Sequence, residues 1–158
     1  MKQIHNIEPI YSKESKILIL GSFPSVKSRE GMFFYNHPQN RFWKVISGVL
    51  ELPTPETIEQ KKIFLNSNKI ALWDVIRSCD INNSSDSSIK NIEVNDINEI
   101  LRNSNVKAVF TNGNKAYQLY VRYFDKNAIS LPSTSPANAA FSLNQLIIEW
   151  SVIKDFLF

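Results

Sequence analysis

The stretch Lys16–Ser25, KILILGSFPS, decides the fold. Ile17, Leu18, Ile19 and Leu20 form a short apolar run with no polar alternation, the pattern of a strand covered on both faces. Gly21 closes the run and Pro24 follows, so the chain turns at the strand's end. A glycine there serves either a positive φ angle or a close approach to a ligand.

Working outward, three more runs read as strands: KIALWDVI (Lys69–Ile76), VKAVFTNG (Val106–Gly113) and NAISL (Asn127–Leu131). Helical spacing separates them. RFWKVISGVLEL (Arg41–Leu52) places Phe42, Val45, Ile46, Val49 and Leu50 on one face, with Asn40 at the N-cap position. Thr54 and Pro55 open a helix that continues to Asn68. Asn95–Ser104, Asn114–Phe124 and the amphipathic segment from Leu143 to Phe158 complete the helices, and Cys79–Asn91 reads as a polar loop. Alternating strands and helices predict βαβ units, a central four-stranded parallel sheet and helices on both faces, hence a three-layer α/β/α sandwich in one domain over residues 1–158. In such sheets ligands bind beyond the carboxyl ends of the strands. That rim holds GSFPS (Gly21–Ser25), Asn112–Gly113 and LPSTSPAN (Leu131–Asn138).

Charge is unevenly distributed. Residues 1–50 carry seven Lys/Arg against three Asp/Glu, a net +4; residues 51–100 carry five against nine, a net −4; residues 101–158 carry six against three, a net +3. Basic ends around an acidic middle fit a polyanion partner on one face, and equally a solvated surface. No apolar run is long enough to span a bilayer, and MKQIHNIEPIYSKESK (1–16) shows no signal-peptide core, so a cytoplasmic protein is expected. With two histidines and one cysteine, neither a disulfide nor a usual zinc site can be built; no metal and no cofactor are expected. GSFPS matches neither a phosphate loop nor a G-x-S-x-G elbow.

The candidate chemistry lies in GMFFYNHPQNRFWKVI (Gly31–Ile46). Side chains alternate in an extended segment, so Phe33, Phe34 and Tyr35 cannot all face one core, and at least one faces a cleft or partner. Aromatic faces in a cleft stack on nucleobases. His37 can titrate near neutrality or serve structurally. Asn40 is not a general base near neutral pH, but its carbonyl can orient a water. Ser130–Ile148 contains no charged residue, and its hydroxyls and amides suit a phosphate backbone as well as an ordinary turn.

Together these segments resemble the uracil-DNA glycosylase superfamily. ILILGSFPS (Ile17–Ser25) looks like its first motif, NHPQNRFWKVI (Asn36–Ile46) like the segment that follows, TNGNKAY (Thr111–Tyr117) like a glycine-containing strand end, and LPSTSPANA (Leu131–Ala139) like the second motif, which presses into DNA. Phe23 stands where mismatch-specific members carry a catalytic asparagine, and the aspartate of the classical uracil enzymes is missing. GSFP with N-x-F-W, ALWDVIRSC (Ala71–Cys79) and SSDSSI (84–89) is instead similar to the DNA-deoxyinosine glycosylase branch. That resemblance implies a uracil-DNA glycosylase-like fold. It also implies a monofunctional glycosylase acting on hypoxanthine, with Asn40 as the catalytic residue. Gly21, Ser22, Phe23, Pro24, Tyr35, His37, Asn112 and Gly113 would then bind the flipped base, with the base stacked on Tyr35. Ser28, Arg29, Arg41, Lys44, Ser133, Thr134 and Ser135 would contact the DNA. The implied partner is double- or single-stranded DNA with a damaged base, bound by a monomer. Leu131 replaces the second motif's histidine, and Ser135 falls near its wedge position. The alternatives are a uracil or mismatch-specific enzyme of the same superfamily and a non-catalytic lesion-binding module.

Overall fold

The computed structural model describes residues 2–83 and 85–158, so the SSDSSI segment is described only from Ser85 onward. Strand β1 (Lys2–Ile4) opens the chain, and β2 (Ile17–Gly21) is the central strand. All five β2 residues are buried. It pairs in parallel with β3 (Ile70–Asp74) on one edge and with β6 (Ala108–Asn112) on the other, and β7 (Ile129–Leu131) extends the sheet beyond β6. The order β3-β2-β6-β7 is the expected four-stranded parallel sheet.

The strands read as unbroken apolar runs because alternate side chains enter two different cores. Ile17, Ile19, Ile70, Leu72 and Phe110 face one cluster, which contains Phe34, Phe42, Trp43 and Trp150. Leu18, Leu20, Ala71 and Val109 face the other, with Ile97, Ile100, Leu119 and Tyr120. Helices α2 (Phe42–Leu50), α3 (Ile58–Ser67) and α6 (Leu143–Trp150) supply the first layer; α4 (Ile97–Arg102) and α5 (Asn114–Tyr123) supply the second.

Several boundaries differ from the sequence-based expectation. Lys69–Ile76 is not one strand. The chain leaves the main sheet after Asp74, and Ile76–Asp80 becomes β4 of a second, antiparallel sheet ordered β1-β4-β5, with β5 at Lys90–Val94. The predicted loop Cys79–Asn91 therefore gives up both its ends to strands. Buried Asn95 pins the break. Its Nδ2 donates to the carbonyls of Asp74 (2.9 Å) and Ile76 (3.2 Å), and its own N–H donates to Val75. That fixed role keeps Asn95 out of α4, which starts at Ile97.

A short helix α1 (Val26–Gly31) was not expected; Ser25 caps it by accepting the Ser28 N–H. Helix α3 starts later than Pro55 because Thr57 and Gln60 form a reciprocal capping box. The C-terminal segment is not one helix either. A 3₁₀ turn at Ser151–Ile153 separates α6 from α7 (Lys154–Leu157). Among the described residues no helix is long and apolar enough to cross a membrane.

Asn95→Ala should lower folding stability by about 2–3 kcal/mol, because it strands two buried carbonyls. Urea denaturation measures it, and an unchanged midpoint would show that Asn95 does not hold the break.

Candidate active site

The carboxyl ends of β2, β3 and β6 open into a cavity of about 330 Å³, at the small end of the range for ligand pockets. Its walls come from the Gly21–Ser25 turn, the Phe34–Asn40 segment, Asp74, Asn112 and the loop from Ser133 to Ala137.

A polar chain crosses one wall. The Thr134 backbone N–H donates to Asn112 Oδ1 (3.0 Å), and Asn112 Nδ2 donates to Thr134 Oγ1 (3.0 Å). The Thr134 hydroxyl then donates to Asn40 Oδ1 (2.9 Å), which also accepts the Phe42 N–H (2.9 Å). Backbone N–H groups stand at both ends, so the direction of every bond in the chain is set. The position preceding α2 is Arg41, which makes no side-chain cap, and Asn40 satisfies the first N–H of the helix from one residue further out. This changes the chemistry expected of Asn40. Both lone-pair positions of its carbonyl are occupied, so its oxygen does not face a water. Its Nδ2 hydrogens, taken by no acceptor among the described residues, are what it presents.

The loop opposite is held by Arg41. Its guanidinium donates to the carbonyls of Phe141 (2.5 Å), Asn138 (2.8 Å) and Ser135 (3.2 Å), and its backbone N–H donates to Thr134. An uncharged loop with little regular structure is thus fastened by one cation. A lysine cannot reproduce that planar fork.

Phe33 and Phe34 are both in the core, at 3% and 1% exposure, contrary to the expected division. The alternation rule fails because the segment is not extended: Met32 (φ 57°) and Tyr35 (φ 51°) are left-handed and coil it. A bulky residue in that region is strained, and such strain concentrates at functional sites. Tyr35 stacks on Phe42 with ring centroids 4.2 Å apart. Its hydroxyl is buried and finds no hydrogen-bond partner of acceptable geometry among the described residues. Burial, followed by the nearby Asp74 charge, pushes its pKa far above the usual phenol range; the adjacent Asn112 amide offsets only part of that rise.

Of the expected base-binding residues, Gly21, Ser22, Phe23, Pro24, Tyr35, His37 and Asn112 line the cavity together with Asn40. Gly113 does not. It takes φ 94° and packs against Ser133, so its glycine serves the backbone turn. Gly21 is the close-approach case, since a methyl there would collide with the Asp74 carboxylate and lie 3.1 Å from the Tyr35 hydroxyl. Among the expected DNA contacts, Ser28 and Thr134 are buried, at 2% and 0% exposure, and act inside the structure. Ser28 Oγ accepts the Asn36 N–H and the Ser25 hydroxyl. Arg41 serves as the loop clamp. Arg29 lies over the Phe23 ring and donates to the Asn83 carbonyl. Ser133 and Ser135 are half-buried on the rim, and Lys44 is exposed on α2.

Two residues escaped the sequence reading. Asp74 ends a buried parallel strand, where a carboxylate is itself a signal. His5 carries no such signal; only the β1–β4 pairing brings it to Asp74, with Nε2 2.8 Å from Oδ2.

The family model described as the uracil DNA glycosylase superfamily matches residues 8–155. The chain belongs to the uracil DNA glycosylase superfamily. It is 32% identical over 148 residues to the hypoxanthine DNA glycosylase of Methanosarcina acetivorans, covering 91% of this chain and 93% of that one. It is 33% identical over 135 residues to the protein of the same name from Methanosarcina barkeri, covering 82% and 85%. A solution NMR structure from Methanosarcina acetivorans, provisionally described as a uracil DNA glycosylase, superposes with a TM-score of 0.81 at 30% identity, covering 97% of this chain and 96% of that one. The GSFPS turn and residues Ser133–Ala137 of the 131–139 loop, two of the segments that resemble the superfamily's motifs, line the same cavity.

Arg41→Lys should cost about 2 kcal/mol or more, because several charge-assisted bonds to carbonyls are lost. Limited proteolysis should cut faster within 132–141; unchanged protection would dismiss the clamp. Tyr35 gives a second prediction. A phenol with a raised folded pKa contributes stability that is complete below the unfolded value of about 10 and falls as pH rises beyond it. Tyr35→Phe should therefore flatten the alkaline loss of stability above about pH 10, read by urea midpoints at pH 8 and pH 11.

Proposed function

We propose that this protein is a monofunctional DNA glycosylase. It hydrolyses the N-glycosidic bond of a base flipped from DNA, and hypoxanthine in deoxyinosine is the preferred base. The observation that carries this is Asn40, held by Thr134 and Phe42 at the wall of the cavity with its amide hydrogens uncommitted. The two relatives named hypoxanthine DNA glycosylase support the choice of base.

In this reading the duplex lies across the rim formed by Ser133 and Ser135, with Lys44 and Arg29 toward the phosphates. One domain acts as a monomer without a metal or cofactor. Extruding the base costs a few kcal/mol of unstacking, least where inosine is already badly paired. The base enters the cavity against the strained Tyr35 segment and the Gly21–Pro24 turn. Its C1′–N9 bond breaks, and the bonding electrons go to the purine. Asn40 Nδ2 donates to the departing base, and backbone N–H groups of the turn stabilise its negative charge. Water adds to C1′ as the oxocarbenium character develops; one of its protons is lost to solvent and the departed purine takes one up, so the products are an abasic site and the neutral base. No lysine lines the cavity among the described residues, in keeping with hydrolysis rather than Schiff-base chemistry.

The test uses end-labelled duplexes containing inosine or uracil, incubated with the protein and then cleaved by alkali at abasic sites. Faster single-turnover cleavage at inosine is expected. Faster cleavage at uracil would reassign the substrate. No cleavage of either duplex, with tight lesion binding, would leave a binding module instead of an enzyme. Asn40→Ala should lower the inosine rate by about a hundredfold or more while melting cooperatively, as expected for losing one preorganised donor to developing charge.

A further inference from the structure

Thr134 is the buried member of a loop whose other described residues, from Pro132 to Phe141, are exposed or half-buried. All of its polar groups turn inward. Its N–H donates to Asn112 Oδ1 (3.0 Å), and its carbonyl accepts the Arg41 N–H (3.1 Å). Its hydroxyl accepts from Asn112 Nδ2 (3.0 Å) and gives its one proton to Asn40 Oδ1 (2.9 Å). The flanking Ser133 and Ser135 stay half-buried and line the cavity. One residue of the loop is therefore built into the wall that carries Asn40.

The two bonds on Asn40 Oδ1 differ in origin. The bond from the Phe42 N–H is local, because it belongs to the start of α2 and does not depend on the loop. The terminal torsion of an asparagine side chain is broad. A single bond at the oxygen leaves the amide plane free to rock about that contact. The second bond comes from 94 residues away in sequence and exists only while the loop is seated. Together the two define the amide plane, and with it the direction of the Nδ2 hydrogens. A donor to a reacting group has to be held within about 0.5 Å and 10–20° of its productive geometry. Seating the loop and aiming the donor are then one event.

We propose that Thr134 is a positioning residue: its hydroxyl fixes the plane of the Asn40 amide and makes the aim of the Nδ2 donor depend on the seating of the 132–141 loop. This rests on the reading of Asn40 as the donor to the departing base. A loop pressed by DNA at Ser133 and Ser135 holds the donor in line, and a displaced loop leaves Asn40 present but misdirected.

The test separates aim from binding. Single-turnover cleavage of the inosine duplex gives the rate. Anisotropy on a duplex with uncleavable 2′-fluoro-deoxyinosine gives the affinity. Thr134→Val keeps the shape and loses the hydroxyl; it should lower the rate about tenfold or more, the scale of a misplaced group, with affinity within about twofold. Thr134→Ser, which keeps the hydroxyl, should stay close to wild type in both. In an Asn40→Ala background Thr134→Val should cost nothing further, because no donor remains to be aimed. A Thr134→Val protein as fast as wild type, a Thr134→Ser protein as slow as Thr134→Val, or an equal loss in the Asn40→Ala background overturns the proposal. NMR gives a readout free of turnover. The Asn40 side-chain amide, identified by its disappearance in Asn40→Ala, should be rigid on the ps–ns timescale in wild type and Thr134→Ser, and mobile in Thr134→Val. If Thr134→Val does not fold, the wild-type spectrum decides, and a mobile Asn40 amide overturns the assignment. A wild-type protein that cleaves neither the inosine nor the uracil duplex would remove the glycosylase reading, while the NMR comparison would still decide whether Thr134 fixes the amide.

Discussion

Strand β2 is hydrogen-bonded along both edges and buried on both faces, and the remaining structure is arranged around that constraint. Such a strand has no freedom to shift register, so its last residue is a fixed point. The pairing continues past its end: the Val75 N–H donates to the Gly21 carbonyl and the Ile76 N–H to the Ser22 carbonyl. The GSFPS turn is thereby tied down on the β3 side while its other side faces the cavity. The same bonds carry the neighbouring chain out of the main sheet just after Asp74. A carboxylate is thus left at the floor, where the two strands part. Burying a carboxylate there requires a donor, and His5, the residue just after β1, provides one.

The opposite wall is built on a different principle. The loop from Pro132 to Phe141 has almost no regular structure and no charge of its own. Arg41 supplies the missing order by gathering three of its carbonyls. Because Arg41 is adjacent to Asn40, the same few residues fasten the loop and aim the amide. Thr134 closes the arrangement by bonding to both Asn40 and Asn112. A polar chain with backbone donors at each end has only one satisfied arrangement, so it rigidifies the wall and fixes which face of each amide meets the ligand.

Legibility in the sequence followed how local each signal was. The run Ile17–Leu20 announces a doubly covered strand because nothing polar interrupts it, and the other three strands of the parallel sheet each carry a short apolar run of their own. The rim was legible for the same reason: strand ends are where α/β proteins place ligands, so Gly21–Pro24, Asn112 and Ser133–Ser135 could be named in advance. The second sheet was not legible, because β4 follows β3 with only Val75 between them and is joined to β5 by polar residues that resemble a loop. Their stability comes from pairing with each other and with β1, a non-local effect. The positions of Phe33 and Phe34 were misjudged because the rule of alternation assumes an extended backbone, and two left-handed residues set it aside.

The sequence by itself determined the layered architecture, the rim on which the site would form and the superfamily resemblance carried by its motifs. These depend on apolar periodicity and on residues close together in the chain. Only the tertiary structure decided which atoms face the cavity. It turned the Asn40 carbonyl away and left the amide hydrogens, assigned Arg41 and Ser28 to internal bonds, and placed His5 against Asp74 across 69 residues of sequence. Those outcomes depend on which donors and acceptors meet after the chain has closed on itself. A hydrogen bond between distant residues leaves no periodic trace in the order of amino acids.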